Sequence, residues 1–240
     1  VIGLAVARVI YPEMSEAVVI ADYEKFQQSL YRTINSLLLV LLPCAAGMMI
    51  LREPLVRLVY QRGAFDDQAV GLTMAALLFY AVGMPFTSVR EIVLRAFYAF
   101  QDTLTPMKIS LATVALNIVL NLILVKYLAH GGLALGSSIA TIAGFLVLLW
   151  QLRKKLGRIK ASLMLVSGLK ISLAALLMSG VVYYEMNQLK ALLEAGFMSS
   201  LGLLLTCVAT GLAVYGWLIK MLRVEEFDML YASLRRYLRR

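Results

Sequence analysis

The sequence predicts an all-α polytopic membrane protein with six complete transmembrane helices and part of a seventh. Hydrophobic residues make up 61% of the 240 residues and charged residues only 15%, whereas a soluble domain has roughly 45–50% and ~25%. Apolar runs of about 20 residues, the length needed to cross a hydrocarbon core, recur along the chain. A soluble helical bundle needs polar helix faces, which a run such as LLLVLL at 37–42 does not offer.

The predicted spans follow one another with short connections. They cover residues 30–50, 69–88, 107–127, 133–152, 165–184 and 198–221. The opening VIGLAVARVIYP resembles the end of an earlier transmembrane helix, so we expect the chain to be a fragment cut inside that helix. Pro12 is expected to end this helix, and the stretch to Gln28 to lie along the membrane surface. HGG at 130–132 predicts a tight turn that places two spans side by side.

Basic residues indicate the orientation. The net charge is +9, and the Lys and Arg residues concentrate in alternate connections, which marks the cytoplasmic side of a membrane protein. This predicts that 95–106, 153–160 and the C-terminus are cytoplasmic, and that 52–67 and 185–196 are outside. The tail 222–240 reads as a basic amphipathic helix on anionic lipid. The charge therefore does not indicate nucleic-acid binding.

No catalytic or metal-binding motif is present in the sequence. Cys44 and Cys207 fall in apolar spans outside any CxxC pattern, and His130 has no ligand-like neighbour. There is also no GxxxxGK[ST] phosphate-binding loop. We therefore expect neither an enzyme nor a disulfide or zinc site.

The connection RAFYAFQDTLTP at 95–106 is an unusually polar elbow. Asp102 or Thr103 is suited to satisfying backbone groups of the turn, and Thr105 with Pro106 suits the N-cap and first position of the next helix. Charged residues crowd the end of the preceding span, where Glu91 and Arg95 are spaced to pair. They are either an interfacial pair or the lining of a polar cavity. The candidate substrate or gate residues are Arg32, Arg90, Glu91 and Arg95.

A second polar cluster lies deeper in the predicted spans. Thr113, Asn117 and Asn121 are four residues apart, so they share one helix face. Ser137 and Thr141 have the same spacing on the next helix, which the turn at 130–132 brings alongside. The cluster is either interhelical hydrogen bonding or a set of oxygen ligands of the kind that hard cations prefer.

Several stretches together resemble one family. YPEMSEA, REPLVRLVYQRGAF, RAFYAFQDTLTP, NIVLN and GGLALGSSIA occur in the order typical of the MurJ/MviN lipid II flippases, members of the multidrug/oligosaccharidyl-lipid/polysaccharide exporter superfamily. The resemblance implies the C-terminal lobe of a MurJ-like fold. Residues 1–152 would be the lobe core, from the end of the eighth helix to the twelfth. Residues 153–221 would be two additional helices resembling the family's lipid-tail groove, and 222–240 the cytoplasmic tail.

The resemblance also implies a function. A member of this family moves lipid II, an undecaprenyl-linked disaccharide-pentapeptide, from the inner to the outer leaflet of the bacterial cytoplasmic (inner) membrane by alternating access. The implied partners are lipid II and membrane lipids, and the complete protein is expected to be a monomer. Sodium-coupled members place a cation at positions matching Asn117, Asn121 and Ser137, although Asn121 here replaces a carboxylate. No other cofactor is implied.

Two other kinds of function remain open. A polysaccharide-repeat flippase or a drug/cation antiporter shares the superfamily fold but normally ends at twelve helices. A non-transporting membrane scaffold would need neither buried amides nor prolines inside its spans.

Overall fold

The computed structural model describes residues 2–63, 65–157, 161–192, 197–224 and 227, and their regular structure is entirely helical. The helices are α1 (Ile2–Val19), α2 (Tyr23–Ile50), α3 (Arg52–Tyr60), α4 (Asp67–Ala99), α5 (Leu104–Leu156), α6 (Ala161–Leu192) and α7 (Phe197–Met221). In the described ranges, five helices are long and apolar enough to cross a membrane. This confirms the predicted fold class, while the number of crossings stays a prediction. The tail helix predicted at 222–240 lies almost wholly outside the described residues.

Helix α5 is a hairpin of two antiparallel halves. Its 53 residues are interrupted at Ala129, where φ is 48° and ψ is −128°. On either side of this point, Gly132 packs on the Leu124 backbone, and Gly136 on Asn121. The predicted turn is therefore confirmed, but it reverses at Ala129, just before the glycines. Gly132 instead lets the two halves approach closely.

Helix α1 continues through Pro12, so the prediction that this proline ends the helix is wrong. Pro12 is exposed, and a proline removes only one helical donor, which leaves the remaining turns of α1 free to form. The chain turns at Ala21, where φ is 55°. Asp22 then caps α2 by accepting a hydrogen bond of 2.9 Å from the Lys25 backbone N–H. Residues 2–19 are consequently helical, and α2 begins at Tyr23.

Two hydrophobic clusters organise the helices. One joins α1, α2, α4 and the second half of α5, and includes Phe26, Ile92 and Leu148. The other joins α2, α6 and α7 around Leu39 and Ile171. Because α2 contributes to both, it connects the α6–α7 pair to the rest of the lobe. The predicted division at 152/153 stays a prediction.

Candidate functional site

The predicted amide cluster forms a hydrogen-bonded ladder across the α5 hairpin. Asn121 Nδ2 donates to Asn117 Oδ1 at 3.0 Å, and Asn117 Nδ2 donates to Ser137 Oγ at 3.1 Å. The Asn121 Oδ1 atom is buried and has no hydrogen-bond partner among the described residues. It lies beside Gly136, whose missing side chain leaves room for it. The structure therefore brings together all three predicted cation-site residues and leaves one oxygen unused.

A cavity of about 440 Å³, lined by both apolar surface and hydroxyl groups, lies next to this ladder, between α4 and the second half of α5. Its lining includes Gly83, Met84 and six hydroxyl side chains: Tyr80, Thr87, Ser88, Ser137, Ser138 and Thr141. Ser138 Oγ donates to the Phe79 carbonyl at 2.7 Å, and Thr87 Oγ1 donates to the Gly83 carbonyl at 3.1 Å. Ser137 belongs to both the cavity and the ladder. The amide ladder and the hydroxyl groups of the cavity therefore adjoin each other at Ser137.

The α4 side of this cavity could not be read from the sequence. Serine and threonine in a membrane helix commonly bond to their own backbone, as Thr87 does, so their presence carries little information. The one residue in the sequence that pointed to this side of the cavity was Gly83, against which Ser138 packs closely. A glycine beside a proline in a predicted span suggests a bend, but not which hydroxyls face it.

The charged gate candidates are arranged differently from the prediction. Within the described part of the chain, no ion pair joins Glu91 to Arg95, so of the two arrangements left open by the sequence the interfacial pair is not formed. The Arg95 guanidinium instead lies 5.7 Å from the centre of the Tyr98 ring. Sequence spacing permits an i,i+4 pair, but the Arg95 side chain lies against Tyr98, three residues further along α4.

Arg90 points toward the α5 hairpin. Its Nη2 donates to Ser110 Oγ at 2.8 Å, which links α4 to the start of α5. The Nε atoms of Arg90 and Arg95 are buried and have no hydrogen-bond partner in the described ranges. Arg32 is exposed on α2, and Glu91 is partly buried. The structure therefore brings Arg90 and Arg95 to one end of α4 with donor capacity left unused.

The elbow between α4 and α5 is held by Asp102. Its carboxylate accepts from the Thr105 backbone N–H and hydroxyl, both at 3.0 Å, and from Lys155 Nζ at 2.9 Å. Helix α5 begins at Leu104 with Thr103 as its N-cap, so the prediction that Thr105 is the N-cap is wrong. Asp102 supplies the capping oxygen instead, and Pro106 sits in the first turn, where its missing N–H is not needed.

The charge on Asp102 is favoured by these bonds. The hydrogen bond from Lys155 holds the pKa of Asp102 below its ordinary value of 3.8, although partial burial acts in the opposite direction. A carboxyl group with a lowered folded-state pKa stabilises the fold above its unfolded pKa, and this contribution is lost as pH falls through the folded pKa. The elbow is therefore insensitive to pH near neutrality and weakens only below about pH 4.

Comparison with known proteins decides the family. The family model described as "Lipid II flippase MurJ" matches residues 1–215. The chain belongs to the MurJ family. A probable lipid II flippase MurJ of Rickettsia prowazekii is 30% identical over 234 residues, covering 95% of this chain and 45% of that protein. The corresponding protein of Thermotoga maritima is 30% identical over 228 residues, covering 95% and 44%.

A solved structure of lipid II flippase MurJ in an inward closed conformation has the same fold. It superposes with a TM-score of 0.74 at 26% identity, covering 91% of this chain and 42% of that one. The chain thus spans about half the length of the MurJ relatives that it matches. The predicted family resemblance is confirmed, and the ladder, the cavity and the elbow are features of a MurJ-family chain.

Proposed function

We propose that this chain is the C-terminal lobe of a lipid II flippase, and that the complete protein moves lipid II from the inner to the outer leaflet of the bacterial cytoplasmic membrane. The match of the MurJ family model over residues 1–215 carries this proposal. The two relatives described above are named as probable lipid II flippases. The proposed activity is transport, with no covalent step assigned to the chain.

The polar groups of α4 and α5 support this proposal physically. A sugar–peptide headgroup cannot cross hydrocarbon without polar groups that replace its water, because unpaired polar groups are costly there. The cavity between α4 and α5 supplies hydroxyl groups, and the adjacent ladder supplies amides. At the elbow end of α4, the Nε donors of Arg90 and Arg95 have no partner in the described part of the chain, which suits the phosphates that join such a headgroup to its lipid. Alternating access would expose these groups to each side in turn.

The two alternative functions have less support. Polysaccharide-repeat flippases and drug/cation antiporters normally end at twelve helices and would lack α6 and α7. In this chain α6 and α7 share a hydrophobic cluster with α2. A non-transporting scaffold gives no reason for the buried Asn121 oxygen, which has no hydrogen-bond partner among the residues that the structure describes. A lipid II flippase accounts for both features.

The proposal is tested by genetic rescue. We expect the complete gene to restore growth and cell shape in bacteria depleted of their own lipid II flippase. Expression of a polysaccharide-repeat flippase at the same membrane abundance is the control and should not restore growth. Failure of the complete gene at normal membrane abundance would remove the proposed function.

The orientation is also a proposal, and single cysteines test it. In a background lacking Cys44 and Cys207, a cysteine at Lys155 should resist an impermeant thiol reagent in intact cells, because we place this residue in the cytoplasm. A cysteine at Arg57, on α3, should react. Labelling of the Lys155 position from outside would reverse the assignment.

We further propose that the amide ladder contributes oxygen ligands to a sodium ion in the complete protein. The described residues contain no group of three or more His, Cys, Asp and Glu side chains that could hold a metal. Neutral oxygens of Asn117, Asn121 and Ser137 would therefore hold the ion. Asn121 Oδ1, which accepts no hydrogen bond within the described ranges, fits this role. Asn117 Oδ1 and Ser137 Oγ would have to exchange their present hydrogen bonds for it.

Thermal unfolding of the complete protein tests the sodium proposal. We expect the melting temperature to rise with sodium when potassium holds the ionic strength constant, because a ligand that binds only the folded state stabilises it. Asn121→Leu should abolish this rise while leaving the protein folded, since interhelical hydrogen bonds in membranes contribute only about 0.6–2 kcal/mol. A wild-type protein with no sodium-specific shift would identify the ladder as structural.

A further inference from the structure

Pro43 leaves one carbonyl of α2 without its usual partner. In a regular helix the Leu39 carbonyl would accept from the backbone N–H of residue 43, but proline has no N–H to donate. Helix α2 nevertheless continues from Tyr23 to Ile50 with Pro43 inside it. Leu39 is only 4% exposed. A buried carbonyl with no donor is unfavourable, and hydrocarbon supplies none.

The missing donor comes from a different helix. Tyr215 Oη on α7 donates to the Leu39 carbonyl oxygen at 2.7 Å, across 176 positions of sequence. Tyr215 is itself 8% exposed, in the cluster that joins α2, α6 and α7. The phenol therefore occupies the donor position that Pro43 vacates, and both partners are shielded from water.

The other contacts of the α6–α7 pair show why this bond matters. Helix α7 packs mainly on α6, and α6 packs on α2, so the direct contact between α7 and α2 is small. At the far end of α6, Lys190 pairs with Glu53 of α3 at 2.7 Å, but both side chains are more than one-third exposed. Exposed ion pairs contribute little. The Tyr215 bond is thus a buried, directional tie between α7 and α2.

We propose that Tyr215 is a positioning residue that holds the α6–α7 pair against α2 at Pro43. In the observed α-helical conformation of α2, position 43 offers the Leu39 carbonyl no backbone donor, so this carbonyl takes its hydrogen bond from α7. Displacing α7 would remove that hydrogen bond. Movement of α2 at Pro43 and movement of α7 are therefore coupled.

A double-mutant cycle on the purified complete protein tests this coupling. Tyr215→Phe removes only the hydroxyl, and we expect it to lower the melting temperature by about 2 °C or more. Pro43→Ala returns the helical N–H to the Leu39 carbonyl, so in that background Tyr215→Phe should have almost no effect. Because the cycle measures unfolding, it does not depend on the proposed transport function. Equal shifts in the two backgrounds would overturn the proposal.

A distance measurement covers the case in which Pro43→Ala fails to fold. Spin labels replace the exposed residues Val40 on α2 and Trp217 on α7, in a background lacking Cys44 and Cys207. We expect Tyr215→Phe to broaden the distance distribution between the labels. Tyr184→Phe is the matched control, because Tyr184 is 68% exposed on α6, and it should leave the distribution unchanged. An unchanged distribution in Tyr215→Phe would overturn the proposal.

Discussion

Replacing Gly132 with alanine is expected to prevent the α5 hairpin from closing. A Cβ at this position would collide with the Leu124 carbonyl and lie 2.9 Å from the Val125 backbone nitrogen. These atoms belong to the helical backbone of the other half of α5, so they cannot rotate away as a flexible side chain would. Overpacking of this kind costs about 1–3 kcal/mol or more. Because the ladder and the cavity both need the second half of α5, we expect loss of folded protein.

The measurement is membrane abundance together with the melting temperature of the purified complete protein. Gly180→Ala is the matched control, since an added Cβ at this helical glycine meets no atom within 4 Å. Alanine favours helix over glycine by about 1 kcal/mol, so the control should be neutral or slightly more stable. Equal behaviour of the two variants would mean that the halves of α5 do not approach as closely as described.

Arg95→Ala is expected to abolish most transport while leaving the protein folded. The Arg95 Nε atom is buried and unpartnered among the described residues, and its guanidinium lies 5.7 Å from the centre of the Tyr98 ring. A hydrogen bond to a charged group contributes about 1.5–3 kcal/mol. Losing such a contact with a substrate phosphate corresponds to about a ten- to hundredfold loss of activity. The readout is rescue of flippase-depleted cells across a range of expression levels.

Two further variants show whether the effect of Arg95→Ala comes from the guanidinium group itself. Arg95→Lys keeps the charge but loses the planar fork of donors, so we expect partial activity. Lys108→Ala removes an exposed basic residue near the start of α5 and should behave as wild type. Full rescue by Arg95→Ala would make Arg95 an interfacial anchor with no role in the gate.

The contacts that the sequence predicted correctly depend on local spacing. Asn117 and Asn121 share a helix face because they are four residues apart. The short turn at Ala129 places the helix that carries Ser137 alongside that face. The observed hydrogen bonds follow directly. Here the helix period and the turn length together determine which side chains meet.

The contacts that were missed depend on tertiary packing. Asp102 pairs with Lys155, and Tyr215 reaches the Leu39 carbonyl, across 53 and 176 positions of sequence respectively. Glu91 and Arg95 have the right spacing for a pair, yet packing places Arg95 beside Tyr98. The spacing of residues along a helix determines which contacts are possible, whereas the packing of neighbouring helices determines which of these contacts form.

Proline was the least informative residue when read from the sequence alone. Pro12 was expected to end a helix, but α1 passes through it, as α2 passes through Pro43 and α4 through Pro85. A proline removes a single donor, and the outcome depends on what replaces that donor. At Pro43 the replacement is the Tyr215 hydroxyl, which only the folded lobe supplies.

The proposed function is tested most directly by measuring where lipid II resides. In cells depleted of their own flippase, lipid II collects in the inner leaflet, out of reach of a membrane-impermeant enzyme that cleaves it. Expression of the complete gene should make lipid II susceptible to that enzyme added from outside, and Arg95→Ala at equal abundance should not. Lipid II that remains protected while the wild-type protein is folded and abundant in the membrane would contradict the assignment of this chain to a lipid II flippase.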